Sequence, residues 1–216
     1  MICGVDEAGK GPVIGPLVVA AVKIKNAKDI KNLGVKDSKQ LTPTKRKEFA
    51  EIIKSEFDYA VEIIEAEVVD QYRRRNKLNE LNREAFERLI SKLNPNVAYV
   101  DAADVNEQRF GSQIKNNLTN KNDTDVISMH KADAKIDVVA AASIIAKETR
   151  EREVEKIKVE IGDFGSGYPS DEKTIKFLKS FYADNGEWPT GTRKSWKTLE
   201  RIRPVKTLED FGEINE

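Results

Sequence analysis

One cysteine and one histidine occur in the 216 residues, and that scarcity closes several routes. Cys3 has no partner for an internal disulfide, which suits a reducing compartment. A structural zinc cage, which needs four Cys or His ligands, is excluded. His130 has no second histidine to work with, and no G-x-S-x-G elbow occurs, so side-chain nucleophilic catalysis has no support. Neither sign of charge prevails: 37 bases face 37 acids. Zero net charge counts weakly against a partner held by overall basicity, and it turns attention to local charge. No apolar run approaches the roughly 20 residues that span a bilayer. Asp6 and Glu7 interrupt the N-terminus before a signal-peptide core can form. A cytoplasmic protein without a leader is expected. Internal repeats and low-complexity linkers are also missing.

What remains is 39% apolar and 34% charged residues, enough for one full core under a heavily charged surface. "MICGVD" and "PLVVAAVKIK" read as strands joined by a Gly/Pro-rich stretch. "TPTKRKEFAEIIKSEF" reads as a helix, with Thr42 as N-cap and Pro43 in the first turn. "DYAVEIIEAE" is a third strand with Tyr59, Val61 and Ile63 on one face. "LNELNREAFERLISKL" is a helix with Leu78, Leu81, Ala85 and Leu89 along one stripe, and Pro95 beyond its end. "NVAYVD" and "DVISMH" are strands four and five, separated by a helix opened by Asp104 with Glu107 as capping-box partner. A long helix runs from "DVVAAAS" onward with Asp137 as its cap. Another begins after Ser170 and stops at Gly186. Early strands without a helix between them suggest antiparallel pairing, and the later alternation suggests parallel crossovers. The expected fold is α/β, a mixed five-stranded sheet flanked by helices. The loop Gly162 to Pro169 marks a boundary between a core, 1–161, and a C-terminal helical segment, 162–216.

Three acidic sites share a position. Asp6 and Glu7 end strand one, Asp101 ends strand four, and Asp133 follows strand five. Ligands in open α/β sheets gather at strand ends, where residues from neighbouring strands converge. Four carboxylates in one small space repel one another, and their pKa values rise unless a cation neutralises them. Oxygen-only ligands suit Mg²⁺ or Mn²⁺. In a regular strand Asp6 and Glu7 point to opposite faces, so both reach one site only if the strand ends there or Glu7 bends back. "GKGP" alone is a weak phosphate-loop signal. "RRR", Arg73 to Arg75, reads as a solvated helix face, and His130 as a packing or substrate-contact residue. From Thr192 to Lys206 six bases face one acid, a local basic stripe able to hold phosphates.

The strings "GVDEAGKGPVIGPLVVAAV", "DSKQL", "YVDAAD", "HKADAK", "AAASIIAKETRE", "GSGYPSD" and "KSWKTLERI" occur in family order. Together they resemble ribonuclease HII, most closely its archaeal form, a family with the ribonuclease H fold. The resemblance implies an endoribonuclease that hydrolyses the RNA strand of RNA/DNA hybrids. It also implies nicking 5′ of ribonucleotides embedded in duplex DNA, leaving 3′-hydroxyl and 5′-phosphate ends. Asp6, Glu7, Asp101 and Asp133 match the catalytic carboxylates, which hold two Mg²⁺ or Mn²⁺ ions roughly 3.5–4 Å apart. Gly9, Lys10 and Gly11 occupy the family's Gly-Arg-Gly motif, whose backbone contacts the ribonucleotide 2′-hydroxyl. Lysine at position 10 keeps the charge and loses the planar fork. Tyr168 matches the tyrosine that stacks on the sugar, and Lys39 and Lys147 match bases near the substrate backbone. "KTLEDFG" is similar to half of a sliding-clamp-binding peptide, with Leu208 and Phe211 as anchors. The expected form is a monomer. The sister type, ribonuclease HIII, and a silent RNA-binding module of the same fold are the rival readings.

Overall fold

A computed structural model describes residues 1–31, 33–34, 41–119 and 123–203. Strand β1 (Ile2–Ala8) lies at the centre of a five-stranded sheet with the order β3-β2-β1-β4-β5. It pairs antiparallel with β2 (Leu17–Ile24) and parallel with β4 (Val97–Asp101). β2 pairs antiparallel with β3 (Asp58–Ile64), and β4 parallel with β5 (Asp125–Met129). The mixed sheet expected from the spacing is present.

Helices cover both faces. After the short α1 (Ala27–Lys31), α2 (Pro43–Glu56) starts as read, with Thr42 Oγ1 accepting the Lys45 N–H. α3 (Ala66–Arg74) and α4 (Leu78–Leu93) follow β3. α5 (Glu107–Asn117) joins β4 to β5. α6 (Ala132–Lys135) leads into the long α7 (Asp137–Ile161), and α8 (Glu172–Asn185) and α9 (Lys197–Ile202) complete the chain.

Three cap assignments shift by one or two residues. α5 is capped by Asn106, whose Oδ1 accepts the Arg109 N–H, while Asp104 accepts the Asn106 N–H and pairs with Arg109. The cap of α7 is Ile136, with Asp137 in the first turn. The cap of α8 is Asp171, whose Oδ1 accepts the Lys173 N–H. At α5 and α8 two short polar residues compete for the cap, and tertiary contacts choose between them; at α7 the cap position falls on Ile136, which makes no side-chain cap bond. β3 also differs: Tyr59 and Ile63 are exposed, while Ala60 and Ile64 are buried. An edge strand need not bury its more apolar face.

Two apolar clusters lie on opposite faces of the sheet. One joins Cys3 and Val5 to Leu81, Ala85 and Phe86 of α4, and it also takes in Phe164, Leu178, Trp196 and Leu199. The other joins Ala8, Val18, Ala20 and Val22 to Val139, Ala142 and Ile145 of α7. α7 lies directly on β1: a Cβ on Gly4 would fall 2.3 Å from the Val138 carbonyl. The described chain beyond residue 161 therefore shares the core of the sheet through Phe164, Leu178, Trp196 and Leu199.

Candidate active site

β1 continues through Ala8, so its side chains alternate to the end. Gly4 and Asp6 face α7; Cys3, Val5 and Glu7 face α4. Asp6 is buried, and its Oδ1 accepts the Glu7 N–H at 2.7 Å. The parallel register Val5↔Val100 sets Asp101 one step beyond the last β1–β4 pair, beside Asp6. Asp101 Oδ1 accepts the Ala132 N–H at 3.1 Å. That bond ties the start of α6 to the end of β4, and Asp133 is the next residue, only 5% exposed. The four acids thus belong to three neighbouring arms at one end of the sheet.

Burial pushes the Asp6 carboxyl well above its usual range, and the charges of Glu7 and Asp101 push it further. Glu7 rises to about 7, chiefly through burial; Lys10 works against this, and Asp101 adds to it. Glu7 Oε2 is buried without a hydrogen-bond partner. Among the described residues, no group of three or more Asp, Glu, His or Cys side chains is drawn in to metal-ligand spacing. Crowded, desolvated carboxylates with an orphaned oxygen nevertheless fit a hard divalent cation by donor chemistry. A cation would supply the charge that holds such acids together.

Two buried polar residues face this pair from opposite sides, and neither was given a role from the sequence. Ser143 of α7 is fully buried and works against the rise at Asp6, although its Oγ stands outside hydrogen-bond geometry. Asn82 of α4 is fully buried and acts likewise on Glu7, although its amide atoms stand outside hydrogen-bond geometry. A carboxamide inside the Leu78–Leu81–Ala85–Leu89 stripe was the available signal.

A cleft of about 420 Å³ opens beside Glu7, between the Gly9–Gly11 loop and Tyr168. Gly9 has φ +91°, and a Cβ there would fall 2.6 Å from Pro16 O and 2.7 Å from Arg150 Cδ. Only glycine fits. Arg150 passes through that space, and its guanidinium lies 5.1 Å from the Tyr168 ring centre. Its Nη2 donates to Ser166 O at 3.1 Å. Tyr168 is therefore propped by Arg150 and is itself 37% exposed. A Cβ on Gly11 would face the Tyr168 ring at 3.6 Å, so the missing side chain keeps the gap open. Lys147 lines the cleft, as do Arg46 and Arg150, which the sequence reading did not select. Lys10 Nζ donates to Asn79 Oδ1 at 3.0 Å and Ala103 O at 3.1 Å, tying the loop to α4 and to the exit of β4. A larger hollow, about 620 Å³, lies at the other end of the sheet beside Met1, Lys23 and Asp58, away from the acids.

Lys39, Leu208 and Phe211 lie outside the described residues. His130 is exposed, its Nε2 3.1 Å from Val105 O and its N–H donating to Glu107. Arg73 is not simply solvated: it lies 4.4 Å over the Trp196 ring and donates to Ser195 O. In the basic C-terminal stretch Lys194, Lys197 and Arg201 are exposed, but Arg193 is fully buried. That guanidinium cannot serve as a surface phosphate contact.

A mixed sheet with acids at the ends of β1 and β4 and after β5, beside a glycine loop and an exposed tyrosine, defines a ribonuclease H-like enzyme. The family model for ribonuclease HII matches residues 3–199. Ribonuclease HII of Pyrococcus abyssi is 45% identical over 220 residues, covering 97% of this chain and 96% of that one. The solved PCNA:RNase HII complex from Archaeoglobus fulgidus superposes with a TM-score of 0.87 at 43% identity, covering 98% of this chain and 100% of that one. A Bst-RNase HIII structure in complex with Mn²⁺ shares the fold, with a TM-score of 0.77 at 23% identity over 93% of this chain and 68% of that one. The chain belongs to the ribonuclease HII family, and it is a metal-dependent endoribonuclease.

Proposed function

We propose that this enzyme cleaves the RNA strand of RNA/DNA hybrids and nicks duplex DNA on the 5′ side of an embedded ribonucleotide. The products carry 3′-hydroxyl and 5′-phosphate ends. The observation behind this reading is the juxtaposition of Glu7, held near a pKa of about 7, with a cleft walled by the Gly9–Gly11 loop and Tyr168.

Asp6, Glu7, Asp101 and Asp133 are the groups that would hold two divalent ions, Mg²⁺ or Mn²⁺. Bound there, such ions supply Lewis-acid charge for an attacking water and a leaving 3′-oxygen. The protein's share is position. The backbone of Gly9 and Gly11 meets the 2′-hydroxyl, the one group that distinguishes RNA from DNA at a nucleotide. Tyr168 stacks on the neighbouring sugar. Lys147, with Arg46, draws the phosphates into the cleft, the buried Arg150 props Tyr168, and Lys39 acts on the same backbone. Lys10 anchors the loop. The reaction needs no side-chain nucleophile.

Nicking of a duplex with one ribonucleotide tests this reading. Asp101→Asn should abolish Mg²⁺-dependent nicking while folding and duplex binding persist. Removing an electrostatic group at a reacting centre costs about 10²–10³ in rate or more. Cleavage by the variant near the parental rate would refute the assignment.

Residues 1–161 form the catalytic core in this reading, and 162–216 add Tyr168 and a tail. The tail, through Leu208 and Phe211, is proposed to engage a sliding clamp, while the enzyme itself is a monomer. The PCNA complex of the Archaeoglobus fulgidus relative supports the clamp proposal. Phe211→Ala should lower clamp affinity measured by calorimetry and leave nicking intact; unchanged affinity would remove the anchor.

A further inference from the structure

Arg193 is fully buried, yet none of its three hydrogen bonds goes to a carboxylate. Nη2 donates to Gly9 O at 2.6 Å, Nη1 to Lys10 O at 3.0 Å and Nε to Gly15 O at 3.0 Å. Trp196 Nε1 donates to Gly11 O at 3.1 Å, and the Arg193 guanidinium lies 5.0 Å from the Trp196 ring centre. Arg73 also lies over that ring, 4.4 Å from its centre. Asp70 fixes the intervening turn by accepting from the Ser195 N–H and hydroxyl. Every carbonyl of the Gly9–Lys10–Gly11 loop is therefore held from within by two residues about 185 positions further along the chain.

The peptide unit turns this into a statement about the cleft. In a planar trans peptide, a carbonyl and the following N–H point in opposite directions. With Gly9 O and Lys10 O drawn inward, the N–H groups of Lys10 and Gly11 point outward. Among the described residues, neither N–H donates a hydrogen bond within the protein. Gly11 O is followed by Pro12, which has no N–H to present. The loop thus offers two outward donors, set by which carbonyls are held behind them.

We propose that Arg193 and Trp196 are positioning residues that give the Gly9–Gly11 loop its ribose-reading shape by occupying its carbonyls from behind. The proposal rests on the reading that this loop meets the 2′-hydroxyl. A buried cation is a poor device for stability alone, because an apolar side chain of similar size often serves as well or better. What arginine adds is a rigid fork of donors that meets several carbonyls at fixed angles. Lysine presents a single point charge and cannot hold the three carbonyls in that arrangement.

The test compares affinities for two DNA duplexes, one with a single ribonucleotide and one without, in the non-cleaving Asp101→Asn background with Mg²⁺. Arg193→Gln should lower the ribo/deoxy affinity ratio about tenfold, the worth of one well-placed hydrogen bond, with all-DNA affinity unchanged. Arg193→Lys should recover thermal stability without recovering the ratio; a purely structural role would restore both together. If Arg193→Gln does not fold, Trp196→Phe keeps an aromatic ring and removes one donor, and should lower the ratio to a smaller extent. A folded variant that retains the parental ratio overturns the proposal. If the Asp101→Asn parent shows no preference for the ribonucleotide duplex, the assigned substrate fails first and the positioning role goes with it.

Discussion

Glu7 shares the electrostatic cost of this site with Asp6. Its carboxyl is pushed up to about 7, chiefly by burial, so between its unfolded value near 4.5 and that value the unfolded chain ionises while the folded chain does not. The unfolded state binds fewer protons in this window, and metal-free stability falls as pH rises through it. Above about 7 the loss is complete. Glu7→Gln should therefore raise the melting temperature of the metal-free protein by a few degrees at pH 8, with little effect at pH 5. Differential scanning calorimetry with chelator present measures both; an equal gain at the two pH values would deny the shift. The acids at positions 6, 7, 101 and 133 could be picked out of the sequence because charge at the end of an apolar run is conspicuous. Asn82 and Ser143 escaped because a neutral polar residue inside an apolar stripe shows no partner until the sheet is assembled.

At the scale of elements, β1 and α7 form the spine of the site. β1 carries Asp6 and Glu7. α7 brings Ser143, Lys147 and Arg150 to them along one helix. The two meet at Gly4, where a Cβ would fall 2.3 Å from Val138 backbone atoms. Backbone cannot yield as a side-chain tip can, so Gly4→Ala should force the helix off the strand. Overpacking of this kind costs about 3 kcal/mol. Urea unfolding should show a lower midpoint with an unchanged slope, and nicking should fall with the displaced α7 residues. A midpoint equal to wild type would mean that α7 does not rest on Gly4. The existence of both elements was legible from period and propensity. Their contact was not, because a glycine within a strand reads equally as a bulge, a bend or a close approach.

The whole molecule is held by contacts between distant parts of the chain. Arg193 reaches back to Gly9, Lys10 and Gly15, and Trp196 to Gly11. Val13 and Ile14 donate to Gly167 O, which docks the Tyr168 loop on the glycine loop. Phe164, Leu178 and Leu199 share a core with Cys3 and Val5. Cys3, fully buried at the centre of the sheet, has its thiol pushed up to about 12, mainly by burial. Only the thiolate reacts with disulfide reagents, so labelling of this single thiol should require global opening. Its rate with an aromatic disulfide should follow the unfolded fraction across a urea titration. Rapid labelling in native buffer would show that the centre of the sheet opens locally.

The sequence by itself determined the strands, the principal helices and, through its ordered motifs, the family, and it put acids at the strand ends. These depend on periodicity, propensity and residue type, which are local properties. Only the tertiary structure decided that Asp6 and Glu7 face opposite helices, and that Arg193 is an internal brace and not part of a phosphate-binding surface. The reason is physical. Whether a polar group is buried or exposed depends on what packs against it, and here the partners are separated by most of the chain.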